Sequence, residues 1–296
     1  MQTNVAQESG RLYEEPWGRW WKLVKLYWVE NSRRNILSVL AVGGLMLVIF
    51  GLSFISDADH AMTVGTQAVL YFGGLYFVGC LYGSLIFSEL NHKREAIQYL
   101  LLPASHMEKM LCGLFFGVLL FFLVYNAIFY LVDIPLVKLA NSLSWKIHLK
   151  SGEPLSDYSP VEVFSLVDLM TGSHDAGWQK ELLIFLLLYF YVQSAYILGS
   201  VYFTRYNFIK TTIVLLLLGF TGFLFFKYVI DKSLPPGVGM DGLFRWRFRN
   251  TNTKEDGWIL LPPGVETILL FVVKWSWPFL LWLVTLLRLK EKQVQG

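Results

Sequence analysis

The sequence predicts an all-α integral membrane protein with six transmembrane helices, an amphipathic helix before the first of them, and a short helix in one cytoplasmic loop. Two observations support this fold class. Apolar residues make up 55% of the 296 residues and charged residues only 16%, against roughly 25% charged residues in an average soluble domain. Apolar runs long enough to cross a bilayer core, roughly 20 residues each, also recur along the whole chain.

Six runs meet this length requirement. They are Ile36–Ile55, Val64–Ser88, Met110–Val132, Leu182–Thr204, Thr211–Ile230 and Val265–Leu287. The fifth run requires Lys227 to extend its side chain to the membrane surface, and the sixth contains Lys274 well inside the apolar stretch. Lys274 either contacts a substrate or snorkels outward between Trp275 and Trp277, and we favour the second interpretation.

The basic residues near the run ends predict the orientation, because loops rich in Lys and Arg stay in the cytoplasm. The loop Asp57–Thr63 contains no Lys and no Arg, so we expect it to lie outside the cytoplasm. The other side of the membrane, where the basic flanks and both termini lie, is then the cytoplasmic side. The chain then divides into a cytoplasmic tail with an interfacial helix, 1–35, and a transmembrane domain, 36–296. Residues 133–181 and 231–264 form the long segments outside the membrane. The basic flanks contain Arg19, Lys22, Lys25, Arg33, Arg34, Lys93, Arg94, Lys109, Arg205, Lys210, Arg288, Lys290 and Lys292.

The segment before the first run has the pattern of an amphipathic interfacial helix. Its apolar face contains Trp17, Trp20, Trp21, Val24 and Trp28. Indoles at headgroup depth and basic side chains toward anionic lipid are typical of a helix lying in the membrane surface. We expect this helix to be separate from the first span, because Glu30, Asn31, Arg33 and Arg34 lie between them. The alternative is an aromatic belt at the start of that span.

The cytoplasmic loop Ser88–Lys109 contains two helix signals in succession. Apolar residues at helical spacing predict a short amphipathic helix that ends before Pro103, which breaks it. Ser105 and Glu108 match a capping box, in which each side chain binds the other residue's backbone N–H, so a new helix starts at about His106. Such a loop suits a docking surface for a cytoplasmic partner; a plain interfacial helix without a partner is an equal alternative.

Taken together, these features resemble the membrane (permease) subunits of type-2 ABC transporters, and the stretch Leu100–Lys109 is similar to a loop in permease-like proteins of Bacteroidetes-type bacteria. The resemblance implies that 89–109 is a coupling helix region bound by a separate ATPase, and that 14–31 is an elbow helix. The docking residues it implies are Glu89, Arg94, Leu101, Leu102, Pro103, Ser105, Glu108 and Lys109.

The resemblance also implies the partners and the location. They are an ABC ATPase that holds ATP and Mg²⁺, a second permease copy or a related permease chain, and membrane lipid, in the bacterial inner membrane. Export would be the commoner direction. The long segment 133–181 departs from many family members, and the proline pairs within 231–264 leave the outer gate unassigned.

The sequence lacks the motifs of an enzyme. There is no GxxxxGK[ST] stretch, so we do not expect the chain to hydrolyse ATP itself. There is also no HExxH, no GxSxG, and no histidine or cysteine spacing that would predict a metal or cofactor site. The alternative to a permease is a membrane scaffold that anchors a cytosolic partner without transport.

The segment Leu243–Arg249 alternates aromatic and basic residues, which predicts a strand with an aromatic and a basic face. We hypothesise that Arg245, Arg247 and Arg249 contact anionic lipid headgroups or an acidic exported molecule. The alternative is an amphipathic strand on the lipid surface. A location outside the membrane argues against nucleic acid as a partner.

Small and polar residues within the runs predict helix contacts. The pairs Gly79/Gly83 and Gly113/Gly117 have the spacing that lets helix backbones approach closely. Asn126 and Gln193 lie inside the third and fourth runs, where interhelical hydrogen bonds are the preferred interpretation over substrate contact.

Overall fold

The computed structural model describes residues 16–56, 63–91, 93–151, 160–167, 177–230, 238–242, 245–249, 256–260 and 262–295. Within these ranges the chain is predominantly helical. The helices are α1 (Pro16–Ser56), α2 (Val64–Leu85), α3 (Lys93–Leu101), α4 (His106–Leu114), α5 (Phe121–Ser151), α6 (Gly177–Tyr202), α7 (Asn207–Phe225) and α8 (Pro263–Gln295). A 3₁₀ turn, Ser88–Asn91, precedes α3, and the π-helical segment Phe115–Leu120 joins α4 to α5. A second π-helical segment, Phe226–Ile230, ends α7.

The chain is a multi-pass helical membrane protein, because five helical stretches are long and apolar enough to cross a bilayer. These are Trp17–Ser53, Val64–Leu85, His106–Leu143, Leu182–Tyr202 and Asn207–Val229. The helix α8, 33 residues long, covers the sixth predicted span. Several of its side chains, that of Lys274 included, lie outside the described set. The count of six spans therefore stays a prediction.

The predicted break between the amphipathic lead-in and the first span is wrong, because α1 is one helix of 41 residues. At 1.5 Å per residue it is about 60 Å long, roughly twice the thickness of a bilayer core. The polar residues expected to interrupt it are accommodated inside the helix. The Asn31 side chain donates to the Tyr27 carbonyl at 3.2 Å, and Arg34 donates to the Tyr27 hydroxyl at 3.4 Å.

Two apolar clusters, one at each end of the bundle, show that successive long helices run in opposite directions. One cluster joins the beginning of α1 to the ends of α2, α6 and α8 and to the beginning of α4. The other joins the end of α1 to the beginnings of α2 and α6 and to α5. The described N- and C-terminal residues therefore lie at the same end. We call it the basic end, because Arg19, Lys22, Lys109 and Lys290 adjoin it.

The opposite end is covered by the non-helical part of the segment 160–167. Side chains of the helices hold its backbone: the Phe164 N–H donates to Gln67 Oε1 at 2.7 Å, and the Gln67 amide donates to the Glu162 carbonyl at 3.0 Å. Asn141 makes a similar pair of bonds with the backbone of Val161. We call residues 160–167 the strap. The ring centroid of buried Phe164 lies 5.2 Å from that of Tyr71, so the strap closes the cluster at this end. The helix containing the third predicted span continues well beyond Val132, to Ser151.

The fold class is not purely α, because a small antiparallel sheet of three strands precedes α8. The strands are β1 (Val238–Gly242), β2 (Arg245–Arg249) and β3 (Asp256–Leu260), with β2 in the centre. Arg247 pairs with Gly239 on one side and with Trp258 on the other. The strand predicted from alternation in Leu243–Arg249 is therefore confirmed over Arg245–Arg249.

The predicted helix contacts are confirmed at the glycine pairs and the amides. A side chain at Gly79 would meet Tyr189 of α6, and one at Gly117 would meet Ile86. The Gln193 amide donates to the Gly117 carbonyl at 2.6 Å, within the π-helical segment. Asn126 accepts from the Tyr71 hydroxyl at 3.0 Å. Both amides thus link different helices of the bundle, as expected for polar groups in a membrane interior.

Candidate partner-docking site

The loop at the basic end folds as a short helix, a turn at Pro103 and a capped second helix. Ser105 is the N-cap of α4: its hydroxyl accepts from the Glu108 N–H at 3.2 Å, and Glu108 Oε2 accepts from the Ser105 N–H at 2.7 Å. The capping box and the helix start at His106 are therefore confirmed. We call α3, the turn 102–105 and the first turn of α4 the docking hairpin, whose docking role stays a prediction.

The docking hairpin is braced from inside by α1. Glu108 Oε1 lies 3.3 Å from Arg19 Nη2, and the Glu108 side chain is only 9% exposed. One carboxylate therefore caps α4 with one oxygen and pairs with a cation of α1 through the other. Directly after α4, Phe115 of the π-helical segment also meets α1: it packs edge to face with Trp20, with ring centroids 5.6 Å apart.

The outer face of the hairpin is apolar and open. The side chain of Leu101 is 76% exposed and that of Ile97 is 56% exposed. Arg94, Pro103 and Ser105 are exposed beside them. These residues can contact a partner without any rearrangement of the fold.

Other predicted docking residues point inward and support the hairpin instead. Leu102 is half-buried and packs against the cluster at the basic end. Glu108 and Lys109 are buried, and the Lys109 ammonium lies 5.5 Å from the centroid of the Tyr99 ring. Glu89 is half-buried in the 3₁₀ turn, where burial raises the pKa of its carboxyl above the ordinary value and a hydrogen bond from Asn31 opposes the shift.

A cleft of about 310 Å³ separates the turn of the hairpin from α1. Leu102, Pro103 and Ala104 form one wall, and Arg19, Lys22, Leu23 and Leu26 form the other. The tryptophans of the lead-in lie along the same part of α1. Trp17, Trp21 and Trp28 are exposed, whereas Trp20 is half-buried against α4.

The remaining predicted site residues are not brought to the hairpin. Arg245, Arg247 and Arg249 lie in β2, which precedes α8, and the side chains of these arginines and of Lys274 lie outside the described set. Substrate or lipid contact by these four residues stays a prediction.

Sequence reasoning missed one buried acid in the membrane-spanning part. Asp133 lies in α5, its side chain is fully buried, and neither carboxylate oxygen has a hydrogen-bond partner among the described residues. Its position in the sequence could have identified it: Asp133 directly follows Val132 in an apolar sequence that continues beyond it, with Pro135 two residues later. An ionisable group within a span is a candidate functional residue by default.

Within the described part of the chain, no group of three or more His, Cys, Asp or Glu side chains could hold a metal ion. Comparisons of the chain with family models, with curated proteins and with solved structures gave no match.

Proposed function

We propose that this chain is the membrane subunit of an ATP-driven transporter and that the docking hairpin receives a separate ATPase subunit. The single observation that carries the proposal is the hairpin itself. It places an exposed apolar side chain, Leu101, on a short helix at the basic end, and it fixes the following helix with a capping box.

The connections of the hairpin suit the transmission of movement. The helix α4 continues through the π-helical segment into α5, which packs on α1 and reaches the opposite end of the bundle. The Arg19–Glu108 pair ties the base of α4 to α1. A displacement of α3 by a partner would therefore act on two long helices together, since packed interiors respond as units and resist local deformation.

The other features of the proposed assembly follow from the same argument. Basic flanks at the hairpin's end favour a cytoplasmic location for it and for both termini. The strap 160–167 closes the opposite end of the bundle in this conformation. Opening a transport path at that end would require the strap to move away. A second permease copy or related chain would complete the path, and ATP and Mg²⁺ would be held by the ATPase. We infer a bacterial inner membrane from the resemblance, with six spans if α8 crosses the bilayer.

The test is purification of the tagged full-length chain from its native membrane in mild detergent, with identification of the chains that accompany it. We expect a nucleotide-binding chain with ATPase activity. Leu101→Asp should remove that chain while leaving membrane insertion intact, because a charge replaces the exposed apolar contact. Tyr206→Asp is the matched control: Tyr206 is 74% exposed, lies at the same end and has a positive φ of 55°, which Asp tolerates.

A membrane anchor without transport is the second candidate, and the same exposed hairpin favours it. The two functions differ in the partner. A co-purifying cytosolic chain that lacks nucleotide binding, and that is lost in Leu101→Asp, would support the anchor and exclude the transporter.

A further inference from the structure

The strap 160–167 is held by one anchored side chain and by its backbone. Among its residues only Phe164 is fully buried, at 2% exposed, whereas Glu162, Val163 and Val167 are exposed. A segment with a single buried side chain forms little core of its own. Its position therefore depends on the groups of the bundle that bind its backbone and on the pocket that receives Phe164.

Two amide side chains of the bundle bind the strap backbone as a neighbouring strand would. Gln67 accepts from the Phe164 N–H at 2.7 Å and donates to the Glu162 carbonyl at 3.0 Å. Asn141 accepts from the Val161 N–H at 2.8 Å and donates to the carbonyl of the same residue at 2.9 Å. Main-chain bonds of this kind recognise a peptide through its backbone and leave most of its side chains unspecified.

The pocket around Phe164 supplies the side-chain specificity. It is formed by the buried rings of Tyr71, Phe72 and Phe129, whose centroids lie 5.2, 6.3 and 6.1 Å from that of Phe164. Phe72 and Phe129 meet the Phe164 ring edge to face. Because aromatic pairs are stabilised beyond the burial of their area, the pocket favours an aromatic ring over an aliphatic side chain.

Movement of the strap away from the bundle would break these contacts. Gln67 is fully buried in the first turn of α2, and its bonds to Glu162 and Phe164 would both be lost. The loss of hydrogen bonds by a buried polar side chain is unfavourable unless another group replaces them. Water could replace the bonds but would leave the aromatic pocket unfilled. A second peptide segment that contains a phenylalanine replaces both the bonds and the ring.

We propose that this end of the bundle is a binding site for a peptide segment of another polypeptide chain, and that the strap occupies the site in cis. The segment binds in the non-helical conformation of the strap, with its main chain on Gln67 and Asn141 and a phenylalanine in the aromatic pocket. The strap is autoinhibitory, because a segment can bind only after the strap leaves. The site lies at the end opposite the docking hairpin, so it goes beyond the proposed function and does not depend on the hairpin's partner.

The test is a titration of a fluorescent peptide with the sequence of residues 160–167, PVEVFSLV, against the purified full chain in mixed micelles, followed by fluorescence anisotropy. Phe164→Ala in the chain loosens the strap and leaves the pocket intact. We expect this variant to bind the peptide at least about tenfold more tightly than the wild type, because loss of a buried Phe side chain weakens the competing strap by more than that factor. Equal affinities would overturn the occupation in cis, and an absence of saturable binding to Phe164→Ala would overturn the site.

A modified peptide separates main-chain recognition from partition into the micelle. N-methylphenylalanine at the position of Phe164 keeps the ring and removes the N–H that donates to Gln67. We expect the modified peptide to bind the Phe164→Ala chain about fivefold more weakly than the unmodified one, which is the effect of one hydrogen bond. Full affinity for the modified peptide would overturn the proposal.

A pair of variants in the Phe164→Ala chain tests the same bond from the side of the bundle. Gln67→Leu should weaken binding of the unmodified peptide about tenfold, because two bonds are lost, and should bind both peptides equally. Gln193→Leu is the matched control, because Gln193 is also a buried amide but donates to Gly117, so it should leave peptide binding unchanged. A Gln67→Leu chain that still discriminates between the two peptides would overturn the role of Gln67.

Discussion

The contact between α2 and α6 depends on the absence of a side chain at Gly79. A Cβ added there would lie 2.6 Å from both Cε2 and the hydroxyl oxygen of Tyr189. The Tyr189 ring cannot move aside easily, because it is fully buried and packs 5.7 Å from Tyr76 and 5.2 Å from Phe190. We therefore expect Gly79→Ala to force the two helices apart.

The magnitude follows from a comparison with Gly73, in the same helix. A Cβ at Gly73 would meet nothing within 4 Å. Both substitutions gain about 1 kcal/mol of helix propensity, so their difference isolates the steric term. Overpacking costs about 1–3 kcal/mol, so Gly79→Ala should be less stable than Gly73→Ala by that amount.

The assay is reversible unfolding of the two purified variants and the wild type in the same mixed micelles. Gly73→Ala should unfold at or slightly above the wild-type midpoint, and Gly79→Ala should fall clearly below Gly73→Ala. Equal free energies of unfolding for the two variants would refute the close packing of α2 on α6.

Three further predictions concern the hairpin, the strap and pH. Ser105→Ala should lower the free energy of unfolding by about 1 kcal/mol, measured in the same micelles, because the N–H of Glu108 loses its cap; an unchanged value would contradict the capping role. Gln67→Leu should speed amide hydrogen exchange in 160–167, because two backbone groups of the strap lose their partners; unchanged protection would argue against that anchor. Burial raises the pKa of Glu89 above its ordinary value of 4.5, so its contribution to stability is full below pH 4.5 and is lost as pH rises through the folded-state pKa. Glu89→Gln should therefore flatten the dependence of the unfolding midpoint on pH above 4.5, and an unchanged slope would show that Glu89 is not its source.

The sequence was informative where structure is determined locally. The Ser105–Glu108 pair predicted the helix start at His106 because a capping box involves only neighbouring residues. Apolar length predicted the membrane class because a span needs about 20 residues whatever it packs against. Alternation predicted the strand Arg245–Arg249 for a similar reason.

Features that depend on tertiary contacts could not be derived in this way. The polar segment before the first span indicated a break, but Asn31 and Arg34 make their bonds within α1 and leave it continuous. The brace between Arg19 and Glu108, and the strap held by Gln67 at Phe164, join residues far apart in the chain. Neither contact has a sequence period or motif that would identify it.

The inward orientation of part of the docking segment also required the structure. The resemblance implied both Leu101 and Leu102 as docking residues, yet Leu101 is strongly exposed whereas Leu102 packs against the cluster at the basic end. Exposure at this turn depends on how the cluster at the basic end packs, which the hydrophobic pattern alone does not specify.

The most direct test of the docking hairpin is a site-specific cross-link from residue 101 in native membranes. Leu101→Cys provides an accessible thiol for a photoreactive maleimide, since Cys80 and Cys112 are both buried; Tyr206→Cys provides the control at the same end. We expect a cross-link from residue 101 to a nucleotide-binding chain, with a yield that changes on addition of ATP, and none from residue 206. Cross-links from residue 101 to lipid alone would contradict it.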